Sequence, residues 1–254
     1  MRPTMPSAGA ARGGGLVRGS GTARGAGVLA VARYLFLDRR TYVLMPLSWS
    51  VLTFGLDVMV LELTPAGHGD KRWVWGLAAV YVIVFAIGAQ AVARVLPFGL
   101  TLGFSRRTYF LGAVSLASAF AVCFGALVAL GQAVERASDG WGIKMAYFRV
   151  AHLLDGAWWQ TWLTAAVGFL LLFACGMWYG LVYRRGGLTG TWAFAGSQFL
   201  GLALLAAVIT WTHGWGPIGR FLSAATAVDL TGILAGVAAV LLGGAYLTVR
   251  RLPV

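Results

Sequence analysis

Four stretches of this chain, 73–93, 108–134, 158–183 and 188–212, each exceed twenty residues and contain no charged side chain. A helix rises about 1.5 Å per residue, so each is long enough to cross a hydrocarbon core of about 30 Å. Two further apolar stretches have similar length. One is 41–61, interrupted by Asp57; the other runs from about 228 to 249, with Asp229 at its start. The runs are continuous, whereas barrel strands would be segments of about ten residues with alternating polarity. Charged residues make up 11% of the chain and hydrophobic ones 59%; an ordinary soluble domain carries about a quarter charged residues. These features exclude a soluble enzyme and a disordered chain. They predict an all-α integral membrane fold with six transmembrane helices.

The ends follow from composition. Residues 1–27 are rich in Gly, Ala and Ser, with Arg2, Arg12, Arg18 and Arg24. They offer no face to bury and read as a disordered basic tail. The first long apolar run begins too late and runs too long for a cleaved signal peptide. Residues 28–40 are too short to span a bilayer. Val28, Val31, Ala32 and Leu35 share a helical face, with Arg33, Asp38, Arg39 and Arg40 nearby, which predicts an amphipathic interfacial helix.

The net charge is +12, with 20 Lys and Arg against 8 Asp and Glu. In a membrane protein such an excess bears first on orientation rather than on nucleic acid. Placing the N-terminus inside puts 14 of the 20 cations on the cytoplasmic side, and 10 against 6 without the tail. The pairs Arg106–Arg107, Arg184–Arg185 and Arg250–Arg251 decide it, giving N-in and C-in. Trp73, Trp75, Trp141, Trp158, Trp159, Trp162, Trp211 and Trp215 then fall at the outer boundary, as an aromatic belt would.

Two loops stand out. The inner stretch 94–109 reads RVLPFGLTLGFSRRTY. Pro97 is expected to end the second span, because the residue before a proline avoids the helical region. Phe98, Leu100, Leu102 and Phe104 form an apolar row punctuated by Gly99 and Gly103. Ser105 is placed to cap the third span ahead of Arg106 and Arg107. Apolar residues rimmed by arginine form a candidate protein contact; the alternative is an interfacial anchor for the turn. The outer stretch 135–157 reads as a short amphipathic element on the surface. His152 and Asp155 lie one helical turn apart there, but a pair lacks the third ligand of a catalytic zinc.

Catalytic patterns are missing. There is no G-x-x-x-x-G-K-[ST], no H-E-x-x-H and no G-x-S-x-G, the nearest serine being Ser197. Cys123 and Cys175 sit in apolar runs as small core residues. The intramembrane polar residues are few. Asp57 would cost about 2.5–3.5 kcal/mol at a helix centre, so it is a candidate functional position, and Gln90 and Asp229 are the other polar candidates. Asp229 also suits a helix cap. Gln90 and Gln198 suit hydrogen bonds between helices, and Gly232, Gly236, Gly243 and Gly244 suit close helix contact.

The combination of six spans, a preceding interfacial helix and the inner run PFGLTLGFSRR at 97–107 resembles the membrane subunit of bacterial ABC exporters of the type-2 permease family. It is most similar to actinobacterial members. In these an LPFxLxLGxSRRxYFLG-like run precedes the third helix, an acidic run like Val134–Gly142 follows it, and a turn like Tyr183–Gly190 joins spans four and five. The resemblance covers roughly 28–250 and implies a specific machine. Pro97, Phe98, Leu102, Gly103, Ser105, Arg106 and Arg107 would form the coupling element that docks on a separate ATPase subunit. The interfacial helix with Arg33, Asp38, Arg39 and Arg40 would make a second contact. Two ATPases would carry the ATP and Mg; a second permease copy or paralogue would complete a translocation path, on which Asp57, Gln90 and Asp229 are the candidate positions; this chain would hold no cofactor of its own and bind lipid but no nucleic acid. The location implied is the bacterial cytoplasmic membrane. Members that move large polymers or lipids carry a longer outer segment after the fifth span; 213–227 is short here. The competing reading is a polytopic anchor or regulator of an envelope complex without transport. An intramembrane enzyme finds no paired carboxylates within one span.

Overall fold

The computed structural model describes residues 20–38, 40–63, 72–150, 154 and 156–250. It is helical nearly throughout: α1 Ser20–Leu37, α2 Met45–Leu63, α3 Gly76–Gln90, α4 Leu96–Thr101, α5 Arg106–Ala137, α6 Trp158–Trp211, α7 Trp215–Ala224 and α8 Ala227–Arg250. A π-helical turn, Arg40–Leu44, leads into α2, and a second, Ala91–Val95, joins α3 to α4. Among the described residues five helical segments are long and apolar enough to cross a membrane. The chain is an all-α protein of membrane-spanning character.

The longest segment, α6, is not straight. Gly187 has φ 58° and ψ −155°, a conformation essentially restricted to glycine. Tyr179 and Gln198 stand 19 residues apart, about 28 Å along a straight helix. Yet the Tyr179 hydroxyl donates to Gln198 Oε1 at 2.5 Å, and the Tyr179 and Phe194 rings meet edge to face at 5.2 Å. The helix therefore folds back at Gly187 into two arms, 158–186 and 188–211. Gln198 makes the interhelical bond its sequence position suggests.

The first arm is the centre of the bundle. It packs against α3 with backbones touching. A Cβ on Gly88 would meet the Phe173 carbonyl carbon at 3.0 Å, and one on Gly176 would meet Ala89 N at 2.9 Å. Such contact is how helices associate in lipid, where apolar burial brings no gain and van der Waals packing must supply the energy. On its other side Gly125 of α5 rests on the Trp162 carbonyl. Val84, Ile87, Phe169, Phe173, Met177 and Leu181 meet Tyr109, Phe110 and Ala113 of α5, and Ala245 and Val249 of α8, in one core. Contact pairs fix the directions. Tyr81 reaches Ala165 and Gly88 meets Phe173, so α3 runs parallel to the first arm. Thr231 meets Thr164 and the Trp178 indole donates to the Leu241 carbonyl, so α8 does too. α5 runs against them.

This arrangement gives the bundle two ends. One carries 94–108, Gly187 and the end of α8. The other carries the start of α3, the end of α5, the loop 138–150 and the start of α6, with Trp73, Trp75, Trp158 and Trp159 exposed there.

Three features depart from the sequence reading. First, α1 begins at Ser20, inside the stretch read as tail, and lies lengthwise along α5. Gly27 sits beside Thr108, Val31 beside Gly112, and Phe36 stacks on Phe120 at 6.1 Å. Val31 and Leu35 are buried in the bundle core, and the opposite face is exposed. Secondly, the loop after α5 is not a surface helix. Asp139, Trp141, Gly142 and Lys144 all have positive φ, and Met145, Ala146 and Tyr147 are fully buried. Met145 and Ala146 pair in parallel with Arg72 and Trp73. Thirdly, the second span does not stop at Pro97. His152, Asp155, Arg39, Arg251 and residues 1–19 lie outside the described residues.

Candidate functional site

The turn between the second and third spans is built from three local devices. At its start the Leu96 N–H bonds the Ala91 carbonyl, five residues back. This π-helical turn shifts the register, and Pro97 follows in the first turn of α4, where an absent N–H costs least. The expected stop at Pro97 is therefore a bulge with the helix continuing to Thr101. At its end Gly103 has φ 86°; its N–H bonds the Leu100 carbonyl at 3.0 Å and the Phe104 N–H bonds the Gly99 carbonyl at 3.2 Å. That pair of bonds is a Schellman motif, which satisfies the last carbonyls of α4 and needs a left-handed residue. Nothing lies within 4 Å of the Gly103 Cβ position, so conformation alone demands glycine. Ser105 then caps α5 as expected, its Oγ accepting the Thr108 N–H at 3.1 Å.

Aromatic side chains hold the turn from behind. The Tyr109 hydroxyl donates to the Ala91 carbonyl at 2.6 Å, the same oxygen the π-turn uses. Its ring lies against Gly99, where a Cβ would sit 2.8 Å from Cδ2. Tyr34 of α1 stands beside Phe98 and Phe104, with centroids 6.2 and 6.3 Å away. The apolar row is therefore split. Phe98 and Leu102 are more than half exposed, whereas Leu100 and Phe104 are half-buried against the core. Six-residue α4 turns alternate members of the row to opposite sides, which a reading of extended sequence could not distinguish.

Arg107 is exposed at the start of α5 and Arg106 is half-buried. An open groove of about 670 Å³ runs from Arg107, Ser105 and Thr108 to Val28, Leu29 and Ala32 of α1. The structure thus brings α1 and the 97–107 turn to one place. Of the α1 charges, Arg33 is exposed. Asp38 Oδ1 accepts the Thr41 N–H at 3.3 Å, capping the turn into α2 beside exposed Arg40.

The three path candidates do not converge. Asp57 Oδ2 accepts the Gly76 N–H at 3.1 Å, at the start of α3. This bond supplies the partner that a carboxylate in an apolar span needs. Gln90 is half-buried at the other end of α3, about 21 Å along the axis. Asp229 is exposed and closes a reciprocal cap: its Oδ2 accepts the Thr226 N–H at 2.9 Å, and Thr226 Oγ1 accepts the Asp229 N–H at 3.2 Å.

Sequence reasoning missed Tyr34, Tyr109 and the carboxylate at the opposite end. Glu135 is fully buried. Its Oε2 accepts the N–H groups of Tyr147 and Phe148 at 2.9 and 2.8 Å, and its Oε1 pairs with Arg149 Nε at 2.7 Å. One turn earlier buried Gln132 donates to the Leu154 carbonyl and accepts the Thr161 hydroxyl at 2.9 Å. The signal was available: Glu135 and Gln132 share one face of an apolar helix. Among the described residues no three His, Cys, Asp or Glu side chains gather as a metal site would require. Comparison of the chain with protein families, curated proteins and solved structures finds no match.

Proposed function

We propose that this chain is the membrane-spanning subunit of an ABC exporter of a bacterial cytoplasmic membrane, coupled to a separate ATPase at the 97–107 turn. The reading takes the two arms of α6 as separate spans, which makes six crossings. With the arginine-rich end inside, both chain ends are cytoplasmic. The observation that carries it is the construction of the turn. A π-bulge, a Schellman motif and a cap fix its backbone, Tyr34 and Tyr109 brace it, and Phe98 and Leu102 still project outward beside Arg107. A turn needed only to reverse the chain has no use for two large apolar side chains on its free side. Rigid backing suits a part that transmits movement: displacement of α4 would pass through Tyr109 to α5 and through Tyr34 to α1. On this reading the ATP and Mg belong to the partner subunits, and a second permease subunit completes the path.

The test is recovery of the tagged chain in mild detergent, followed by an ATPase assay. Phe98→Ala together with Leu102→Ala should weaken retention of the ATPase by about 2 kcal/mol or more, roughly thirty-fold in affinity. Arg106→Glu with Arg107→Glu should weaken it too, chiefly through orientation of the encounter. Single cysteines at Asp139 and Gly186, in a chain lacking Cys123 and Cys175, should react with an impermeant reagent from opposite sides in both variants. A correctly inserted chain that retains a fully active ATPase despite these changes would refute the coupling role of the turn.

A further inference from the structure

A second cavity lies at the far end of the bundle, remote from the 97–107 turn. Its volume is about 280 Å³. Trp75, Ala78 and Tyr81 of the α3 side face Thr164, Gly168 and Leu171 of the first arm across it. Val150 and Leu154 close the loop side and Leu234 of α8 a third side. Along α6 the lining runs from Thr164 to Leu172, about 12 Å at the helical rise.

The chemistry of the lining is one-sided. The Thr164 hydroxyl is bonded to Thr231 Oγ1 at 2.6 Å, and Thr231 in turn donates to the Ala227 carbonyl. The Tyr81 hydroxyl donates to the Ala165 carbonyl at 3.3 Å. The remaining lining side chains are aliphatic apart from Trp75, which is 78% exposed at the level of the tryptophan cluster. Among the described residues no charged one lines the cavity. A sugar, nucleotide or peptide charge would lose its water here without a partner, at a cost of several kcal/mol. A hydrocarbon chain loses nothing. An apolar cavity of about 150 Å³ holds a benzene-sized molecule, so this one has room for roughly eleven carbons. Gly168 sets the width: a Cβ there would stand 3.2 Å from the Tyr81 ring. Tryptophan indoles favour the level of lipid headgroups, so a chain entering past Trp75 would leave its polar head there.

We propose that this cavity is a binding site for a single hydrocarbon chain of an amphipath, with the head at Trp75 and the chain lying between α3 and the first arm. The chain can belong to a bilayer phospholipid or to a free amphipath, and the chemistry of the site is the same for both. The inference stands apart from the coupling reading, since a failure to retain an ATPase would leave the cavity unchanged.

The experiment uses the full chain in phosphatidylcholine nanodiscs. Dodecanoic acid with a photoactivatable diazirine near its terminal carbon is added, irradiated and mapped by mass spectrometry. Adducts should concentrate at 74–81 and 164–172 and saturate with probe. Ala78 is exposed, so Ala78→Phe should fold normally; by filling the cavity it should cut these adducts at least about five-fold. Adducts at Phe199 and Leu205, which face outward on the second arm, should rise linearly and ignore the substitution. Unlabelled dodecanoic acid should compete and hexanoic acid should not. Leu171→Ala, which widens the cavity, should keep the labelling. A parallel sample with the diazirine on a phosphatidylcholine acyl chain identifies the source: labelling there as well assigns the site to bilayer lipid, and labelling by the free acid alone to a soluble amphipath. If cavity adducts rise linearly with both probes, resist competition and are unaffected by Ala78→Phe, the surface is ordinary lipid contact and the proposal is wrong.

Discussion

The two arms of α6 are nearly indistinguishable in composition and opposite in surroundings. Apart from Arg184 and Arg185 at the end of the first, both are uncharged, both are rich in Leu, Ala, Gly and aromatic residues, and both are long enough to cross a bilayer. In the first arm Thr161, Thr164, Ala165, Phe169, Phe173, Ala174, Gly176, Met177, Gly180 and Leu181 are buried. From 182 to 230 not one described residue is buried. Phe199 is 77% exposed and Trp211 85%. The glycines show the same contrast. Gly176 and Gly180 lie against the backbone of α3, whereas Gly196 and Gly201 have open space where a Cβ would stand. Hydropathy reports compatibility with lipid, and a residue facing lipid and one facing another helix satisfy it equally well. What distinguishes the arms is the availability of polar anchors and a close-packing partner. The first arm is tied through Thr161 to Gln132 and through Thr164 to Thr231. The second is tied to the bundle through Gln198 and the Phe194 ring.

The strongest way to break this contrast is to release the end at which the first arm begins. Glu135→Ala leaves Arg149 without its carboxylate and two buried N–H groups without an acceptor. Removing one partner of a buried pair costs about 3–5 kcal/mol, so the thermal midpoint of the detergent-solubilised protein should fall steeply. Cysteine labelling in the 140–148 loop should rise with it. A midpoint unchanged within error would show the clamp to be dispensable.

Next comes a matched pair of glycine substitutions. Gly176→Leu would drive a side chain into the backbone of α3 and should cost about 3 kcal/mol or more. Gly201→Leu, on the second arm, should change stability by no more than about 0.5 kcal/mol. Equal losses in the two variants would mean that the second arm is packed as tightly as the first.

The smallest effect belongs to Gln198→Leu. It removes the hydrogen bond from Tyr179, and such bonds between helices in membranes average about 0.6 kcal/mol. The hairpin should survive, with labelling of a cysteine at Gly186 unchanged. Loss of the folded monomer would show that the turn needs this bond in addition to the glycine.

Which parts of this were visible beforehand follows from physical range. The spans were legible because lipid imposes a length and a composition on each segment separately, without reference to neighbours. Ala227–Arg250 matches the expected 228–249, whereas the run expected at 73–93 continues to Thr101. The Ser105 cap was legible because capping is a contact within three residues, and a turn within Tyr183–Gly190 because the arginine pair there interrupts the apolar run. At the 97–107 turn the composition was readable, but the alternation of Phe98 and Leu102 outward with Leu100 and Phe104 inward was not. That alternation requires a helix running on past Pro97, which here follows a π-turn at Ala91–Val95 whose Ala91 carbonyl also accepts the hydroxyl of Tyr109, 18 residues away. The loop 138–150 was misread for the same reason: its buried backbone is held by Glu135, 12 and 13 residues upstream. The sequence by itself determined a helical protein of membrane-spanning character, the place of its long apolar helices and the end at which its arginines gather, because these follow from each segment's own composition and length. Tertiary structure alone decided which spans form the core, which carboxylate is a clamp and where a cavity opens, because these depend on the close approach of backbones and polar groups distant along the chain.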